Sequence, residues 1–120
     1  MGLDMYITSR KSKDTWNSLV YWRQFNAVHA WFVNNVQNGV DDCGKYVVSQ
    51  KKLVELVDLL KQVKDTKDTS LLPTGKGFFF GSEEYDESYW QLVDDSIQKL
   101  ESVLSTFDFK KDKLIYEASW

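Results

Sequence analysis

Leu3-Asp4-Met5-Tyr6-Ile7-Thr8-Ser9 sets Leu3, Met5 and Ile7 on one face and Asp4, Tyr6 and Thr8 on the other, the period-two pattern of a half-buried strand. At the far end of the chain, Leu114-Ile115-Tyr116-Glu117-Ala118-Ser119-Trp120 reads as a closing strand, with the β former Ile115 between two large apolar residues. Chain ends that meet in one sheet close a small domain, so strands 3–9 and 114–119 are expected to be sheet partners.

Between them the spacing predicts three helices. The first is expected at about 15 to 36, with Asp14 as its N-cap. At 100° per residue, Leu19, Trp22, Asn26, His29, Val33 and Val36 share one stripe, with Tyr21, Phe25, Val28 and Phe32 beside it. So broad an apolar arc points to a central helix, which Asn34, Asn35, Asn38 and Gly39 bring to an end. Val40 to Gly44 reads as a loop and Tyr46-Val47-Val48 as a short extended segment. The second helix opens at the cap Ser49 and buries Leu53, Leu56, Val57, Leu60 and Val63. Lys64 to Ser70 is a polar surface connection. The third helix, capped by Ser82 or Asp86, runs to about Ser105 with Tyr89, Val93, Ile97, Leu100 and Leu104 on its core face. Before it, Gly75-Lys76-Gly77-Phe78-Phe79-Phe80-Gly81 reads as a loop or short hairpin, with a further strand at 77–80. The fold class is α+β: a single small domain over residues 1–120, with about three helices packed on a small sheet that contains the N- and C-terminal strands.

Composition narrows the functional classes. At 120 residues the chain has room for one core. A net charge of −3 argues against general nucleic-acid binding. No apolar run approaches the ~18 to 20 residues of a membrane span. Met1-Gly2-Leu3-Asp4-Met5 lacks the basic and apolar regions of a secretory leader, so the cytoplasm is the expected compartment. Cys43 and His29 are each the sole residue of their type, which leaves no intrachain disulfide and no zinc quartet. No metal and no cofactor is expected. Five Trp, six Tyr and seven Phe make up 15% of the chain, an unusual supply of large buried area and of stacking surface.

Catalytic motifs fail on spacing. A phosphate loop needs Gly where Ser70 stands and Ser or Thr where Gly77 stands, and Gly75, Gly77 and Gly81 miss the dinucleotide fingerprint by one residue. His29 has the chemistry of a general acid or base but no identifiable nucleophile, and it is expected to be buried with Tyr6, Tyr85 or Asp86 as its hydrogen-bond partner. A metal site of His29, Asp41, Asp42 and Cys43 is chemically conceivable, yet its spacing is not diagnostic. What remains is an aromatic and polar constellation. Tyr6, Trp22, Arg23, Asn26, His29, Phe79 and Tyr85 are the candidate ligand-binding residues, with no catalytic residue assigned.

Several longer strings carry a resemblance. They are the Met1-Gly2-Leu3-Asp4-Met5-Tyr6 opening, Tyr21-Trp22-Arg23 followed by Asn26, His29 and Trp31-Phe32, Asp41-Asp42-Cys43-Gly44, Leu72-Pro73-Thr74, Gly77-Phe78-Phe79-Phe80-Gly81-Ser82, Tyr85-Asp86-Glu87 and Ser119-Trp120. Over nearly its whole length the chain resembles a family of small phage and prophage proteins, with Gln24-Phe25 where that family often has a basic and a small residue. Members sometimes carry a phosphoglycerate kinase label. A chain of 120 residues cannot form the two-domain cleft of such a kinase, so that activity is rejected here. The resemblance implies a phage or prophage accessory protein acting on its host. Two readings then compete: a non-catalytic binder of a nucleotide-like small molecule, such as a host-defence signal, and an inhibitor that docks on a host protein. A small-molecule-cleaving enzyme is the third.

Overall fold

The computed structural model describes residues 3–11, 18–73, 85 and 87–119. In chain order the elements are β1 (Asp4–Ser9), β2 (Val20–Arg23), α1 (Asn26–Asn35), β3 (Lys45–Val48), α2 (Gln50–Thr66), α3 (Glu87–Thr106) and β4 (Leu114–Ser119), with a 3-10 turn at Thr69–Leu71. The strands form an antiparallel sheet in the order β2-β1-β4-β3. Three helices pack on this sheet, which makes the domain α+β.

The two strands expected from the chain ends are the central pair, running from Asp4 opposite Ser119 to Ser9 opposite Leu114. Alternation fixes their faces. Leu3, Met5, Ile7, Leu114 and Tyr116 are all fully buried under the helices. Tyr6 and Glu117 lie opposite each other on the other face, where Tyr6 also meets the ring of Tyr21 at 5.3 Å.

The helix expected over 15 to 36 is corrected. Its first residues, 15–17, lie outside the described residues, while Val20–Arg23 is an edge strand and only Asn26–Asn35 is helical. Val20 and Trp22 are buried and Tyr21 and Arg23 exposed, a period of two that the aromatic and β-branched composition favours. Trp22, Asn26 and His29 are spaced by four and three residues, so a strand followed by a helix imitates a single helical stripe. The junction is Gln24, whose φ of 58° lies in the left-handed region that no continuous helix contains. Gln24→Gly is therefore expected to stabilise the fold by about 0.5 to 1 kcal/mol, and Gln24→Val to destabilise it by about 1 to 2 kcal/mol. Denaturant melts of both variants test this. A continuous helix would make the glycine variant the less stable of the two.

The other helices follow their sequence patterns. Ser49 Oγ accepts from the Lys52 N–H at 3.1 Å to cap α2, and Leu53, Leu56, Val57, Leu60 and Val63 form its buried stripe. Lys67, at φ 57°, ends the helix and sets its ammonium 4.4 Å from the Trp90 ring centre. On α3, Tyr89, Val93, Ile97 and Leu100 are buried as expected, but Val103 is buried where Leu104 is only half-buried. Trp22 Nε1–H donates to Ser96 Oγ at 2.7 Å, joining β2 to α3. The expectations for 74–84, Asp14 and Asp86 fall outside the described residues.

Candidate functional site

His29 lies on α1 at 2% exposure, with both ring nitrogens engaged. Nε2 is 2.8 Å from Asp41 Oδ1 and Nδ1 is 2.7 Å from the Tyr116 hydroxyl. A carboxylate only accepts, so Nε2 carries a proton, and in the neutral ring Nδ1 accepts from Tyr116. Burial, and next the charge of Asp41, hold the Tyr116 hydroxyl well above the usual tyrosine range, which keeps that donor protonated. Phe32 stacks on Tyr116 at 3.8 Å with an 8° tilt. The Asp41-His29-Tyr116 chain thus ties the loop after α1 to the central strand β4. The hydrogen bonds of the imidazole among the described residues include Asp41 and Tyr116, neither of which the sequence suggested. Tyr6 faces the opposite side of the sheet, Tyr85 packs edge-on against Tyr89 at 5.1 Å, and Asp86 lies outside the described residues.

The sequence-derived ligand residues are distributed across the molecule. Trp22, Asn26 and His29 are core residues on the helix side, whereas Tyr6 and Arg23 belong to the opposite face of the sheet, and Tyr85 precedes α3. Arg23 is exposed and does not converge inward with Asn26 and His29, because strand alternation turns it away from Trp22. Phe79 lies outside the described residues. Of the residues weighed as a metal site, Asp41 is held by His29, Asp42 accepts from Gly44 N–H and Tyr46 Oη, and Cys43 is exposed. Among the described residues no group of three or more His, Cys, Asp or Glu side chains is gathered to hold a metal ion.

The chemistry instead concentrates at one end of the central strand pair. Arg10, Lys11, Phe109, Lys110, Lys111, Asp112 and Lys113 line a cleft of about 470 Å³. Its two walls meet where Arg10 N–H donates to the Lys113 carbonyl at 2.8 Å. One wall is a turn organised by Asp108, whose carboxylate accepts from the Lys110 N–H at 3.0 Å and whose carbonyl accepts from the N–H groups of Lys111 and Asp112, each at 3.2 Å. Asp112 Oδ1 accepts from the Lys113 N–H at 2.7 Å. Both acids of the turn are thereby directed at backbone. Phe109 is half-buried and packs edge-on against Phe107 at 4.9 Å, which anchors the turn to the core.

Clustering sets this cleft apart. Elsewhere, Lys45, Lys52, Lys61 and Lys64 are each paired with a carboxylate at 2.8 to 3.6 Å, while Arg23, Lys51, Lys67 and Lys99 have no such pair among the described residues but lie apart from one another along the chain. Among the described residues, none of the five cations in the cleft has such a partner. The two acids of the turn, Asp108 and Asp112, are engaged by backbone N–H groups, so the cluster stays net positive in a chain whose overall charge is −3. Inspection for catalytic motifs passes over these residues, because no single motif contains them. Their signal is the pair of basic runs, Arg10-Lys11 and Lys110-Lys111 with Lys113, flanking the two strands that pair.

The fold and the cleft define a small α+β domain with a built anion-attracting surface. No family model, curated protein or solved structure matches the chain. Among the described residues no helix is long and apolar enough to cross a membrane.

Proposed function

We propose that the chain is a non-catalytic binding protein for a nucleotide-like small molecule, and that the basic cleft, rather than the residues around Arg23 and His29, is where the ligand sits. The observation that carries this is the convergence on a cleft of about 470 Å³ of one aromatic ring and five cations that have no carboxylate pair among the described residues. That volume is within the usual range for small-molecule sites. Lysine and arginine side chains recognise phosphate oxygens, and a phenyl ring offers a face or edge to a planar base. A binding reading is favoured because the imidazole is enclosed in the core, hydrogen-bonded to Asp41 and Tyr116, and does not line the cleft. The resemblance to phage and prophage proteins extends the proposal to an accessory role in which the ligand is a phosphorylated signal of the host.

Calorimetric titration of the full chain with cyclic and ADP-ribose-type nucleotides tests it, followed by recovery of the ligand after denaturation. The expected result is binding that weakens about tenfold in the double variant Lys111→Ala, Lys113→Ala and fades at high salt, with the ligand recovered intact. Both lysines are exposed, so the melting temperature should stay nearly unchanged. Ligand recovered in altered form would replace binding with catalysis. Absence of binding across the panel, with a host protein captured through exposed aromatic residues, would move the assignment to a protein inhibitor.

A further inference from the structure

Resting on that reading, we propose that the occupant of the cleft is a nucleoside polyphosphate, one base carrying a chain of linked phosphates, rather than a cyclic mono- or dinucleotide. The first argument is charge. Among the described residues that line the cleft, five cations face one carboxylate, that of Asp112, a surplus of four positive charges. A terminal phosphate brings about −1.5 to −2, and each further linked phosphate about one more negative charge. A three-phosphate chain therefore comes close to matching the surplus. A phosphodiester carries a single charge, so a cyclic dinucleotide matches only about half of it.

The second argument is placement. Lys110, Lys111 and Lys113 project from one short turn whose backbone is held by Asp108 and Asp112, and Arg10 and Lys11 rise from the strand end bonded to it. Backbone hydrogen bonds on both sides keep the cations clustered before any anion arrives, so the ordering cost of binding is confined to the side chains. Such a cluster suits charges that lie close together along a linked chain. It does not suit two phosphates separated by two sugars. The third argument is the aromatic content, since Phe109 is the one ring among the described residues lining the cleft. One ring serves one base, whereas a dinucleotide brings two.

The test is a calorimetric series on the full chain in metal-free, low-salt buffer, using AMP, ADP, ATP, inorganic tripolyphosphate and cyclic di-AMP. Affinity should rise about fivefold with each added phosphate from AMP to ATP, and ATP should bind at least about tenfold more tightly than cyclic di-AMP. ATP should also exceed tripolyphosphate by several-fold. Phe109→Leu should erase that last difference without changing tripolyphosphate binding, and circular dichroism confirms that the variant is folded. Equal affinities for AMP and ATP, or a preference for cyclic di-AMP, would overturn the polyphosphate inference while leaving the cleft as the site, provided that Lys111→Ala, Lys113→Ala still weakens binding. Tripolyphosphate binding as tightly as ATP would remove the nucleoside from the proposal. Binding to none of the five, or binding untouched by the lysine variants, would overturn the cleft reading itself.

Discussion

Phe32→Ala is expected to cost about 3 to 5 kcal/mol and to lower the melting temperature by about 10 to 20 °C. Phe32 is fully buried and meets three rings: Tyr116 stacked at 3.8 Å, Trp31 edge-on at 5.2 Å and Trp22 tilted at 6.1 Å. Its removal opens a cavity where α1 rests on β4 and exposes one face of the tyrosine that holds His29. Phe32→Leu, which retains most of the volume, should cost less than half as much. Thermal and denaturant unfolding of the two variants decides the matter. A loss below about 1 kcal/mol for the alanine variant would mean that α1 does not pack on the sheet in this way.

Alkaline pH should destabilise the domain steeply, and Tyr116 should carry an identifiable share. Burial raises Tyr89 to about 12 and Tyr116 well above the ordinary tyrosine value, with the charges of Tyr85 and Asp41 as the respective second causes. Both are nearly inaccessible, at 4% and 0% exposure. In the unfolded chain each hydroxyl loses its proton near pH 10. Between pH 10 and the folded values the native state holds more protons than the unfolded one, so stability falls as pH rises. The stabilisation is complete below about pH 10 and is lost as pH climbs through the folded values, at up to about 1.4 kcal/mol per pH unit for each tyrosine. Tyr21 is also pushed up to about 12 by its 2.6 Å hydrogen bond to Asp4, but solvent screening at 41% exposure reduces its share. Denaturant midpoints from about pH 9 to about pH 12 should fall less steeply in Tyr116→Phe than in the parent chain, and the difference isolates this residue. At neutral pH the same variant should be about 1 to 3 kcal/mol less stable, because His29 Nδ1 loses its donor. An unchanged alkaline slope would show that Tyr116 does not titrate as its burial requires.

The outer frame of the fold was legible because its residues obey one period at a time. Leu3, Met5 and Ile7 could only be a strand face, and the Leu53 to Val63 stripe could only be a helix. Residues 20 to 25 depart from the expected helix for a physical reason, while 26 to 35 follow it. Trp22, Asn26 and His29 keep helical spacing across a strand-to-helix junction, and the left-handed Gln24 that breaks the run is a residue type with no special preference for that conformation. Burial of His29 was foreseeable from its apolar surroundings, but its partners were not. Asp41 and Tyr116 are 12 and 87 residues away, the first brought back by the loop after α1 and the second by the packing of α1 on the sheet. The cleft was written in the sequence in a different way. Once 3–9 pairs antiparallel with 114–119, the basic residues that follow one strand must lie beside those that precede the other. The two runs are unremarkable separately, and only topology makes them one surface.

That same pairing determines how the domain answers to mechanical load. Asp4 and Ser119 are cross-strand partners at one end of two adjacent antiparallel strands, so tension applied between them acts across the ladder and not along it. The interstrand hydrogen bonds are then loaded one after another from that end, as in opening a zipper, and at no stage do they share the force. The rupture front would start at the Asp4 and Ser119 pair and reach the Ser9 and Leu114 pair last. The basic cleft lies beyond that last pair, about 17 Å along the strands from the first. Tethers attached through the first pair would thus peel the sheet from the end remote from the cleft, so that the walls around Arg10 and Lys113 are the last part of the ladder to part.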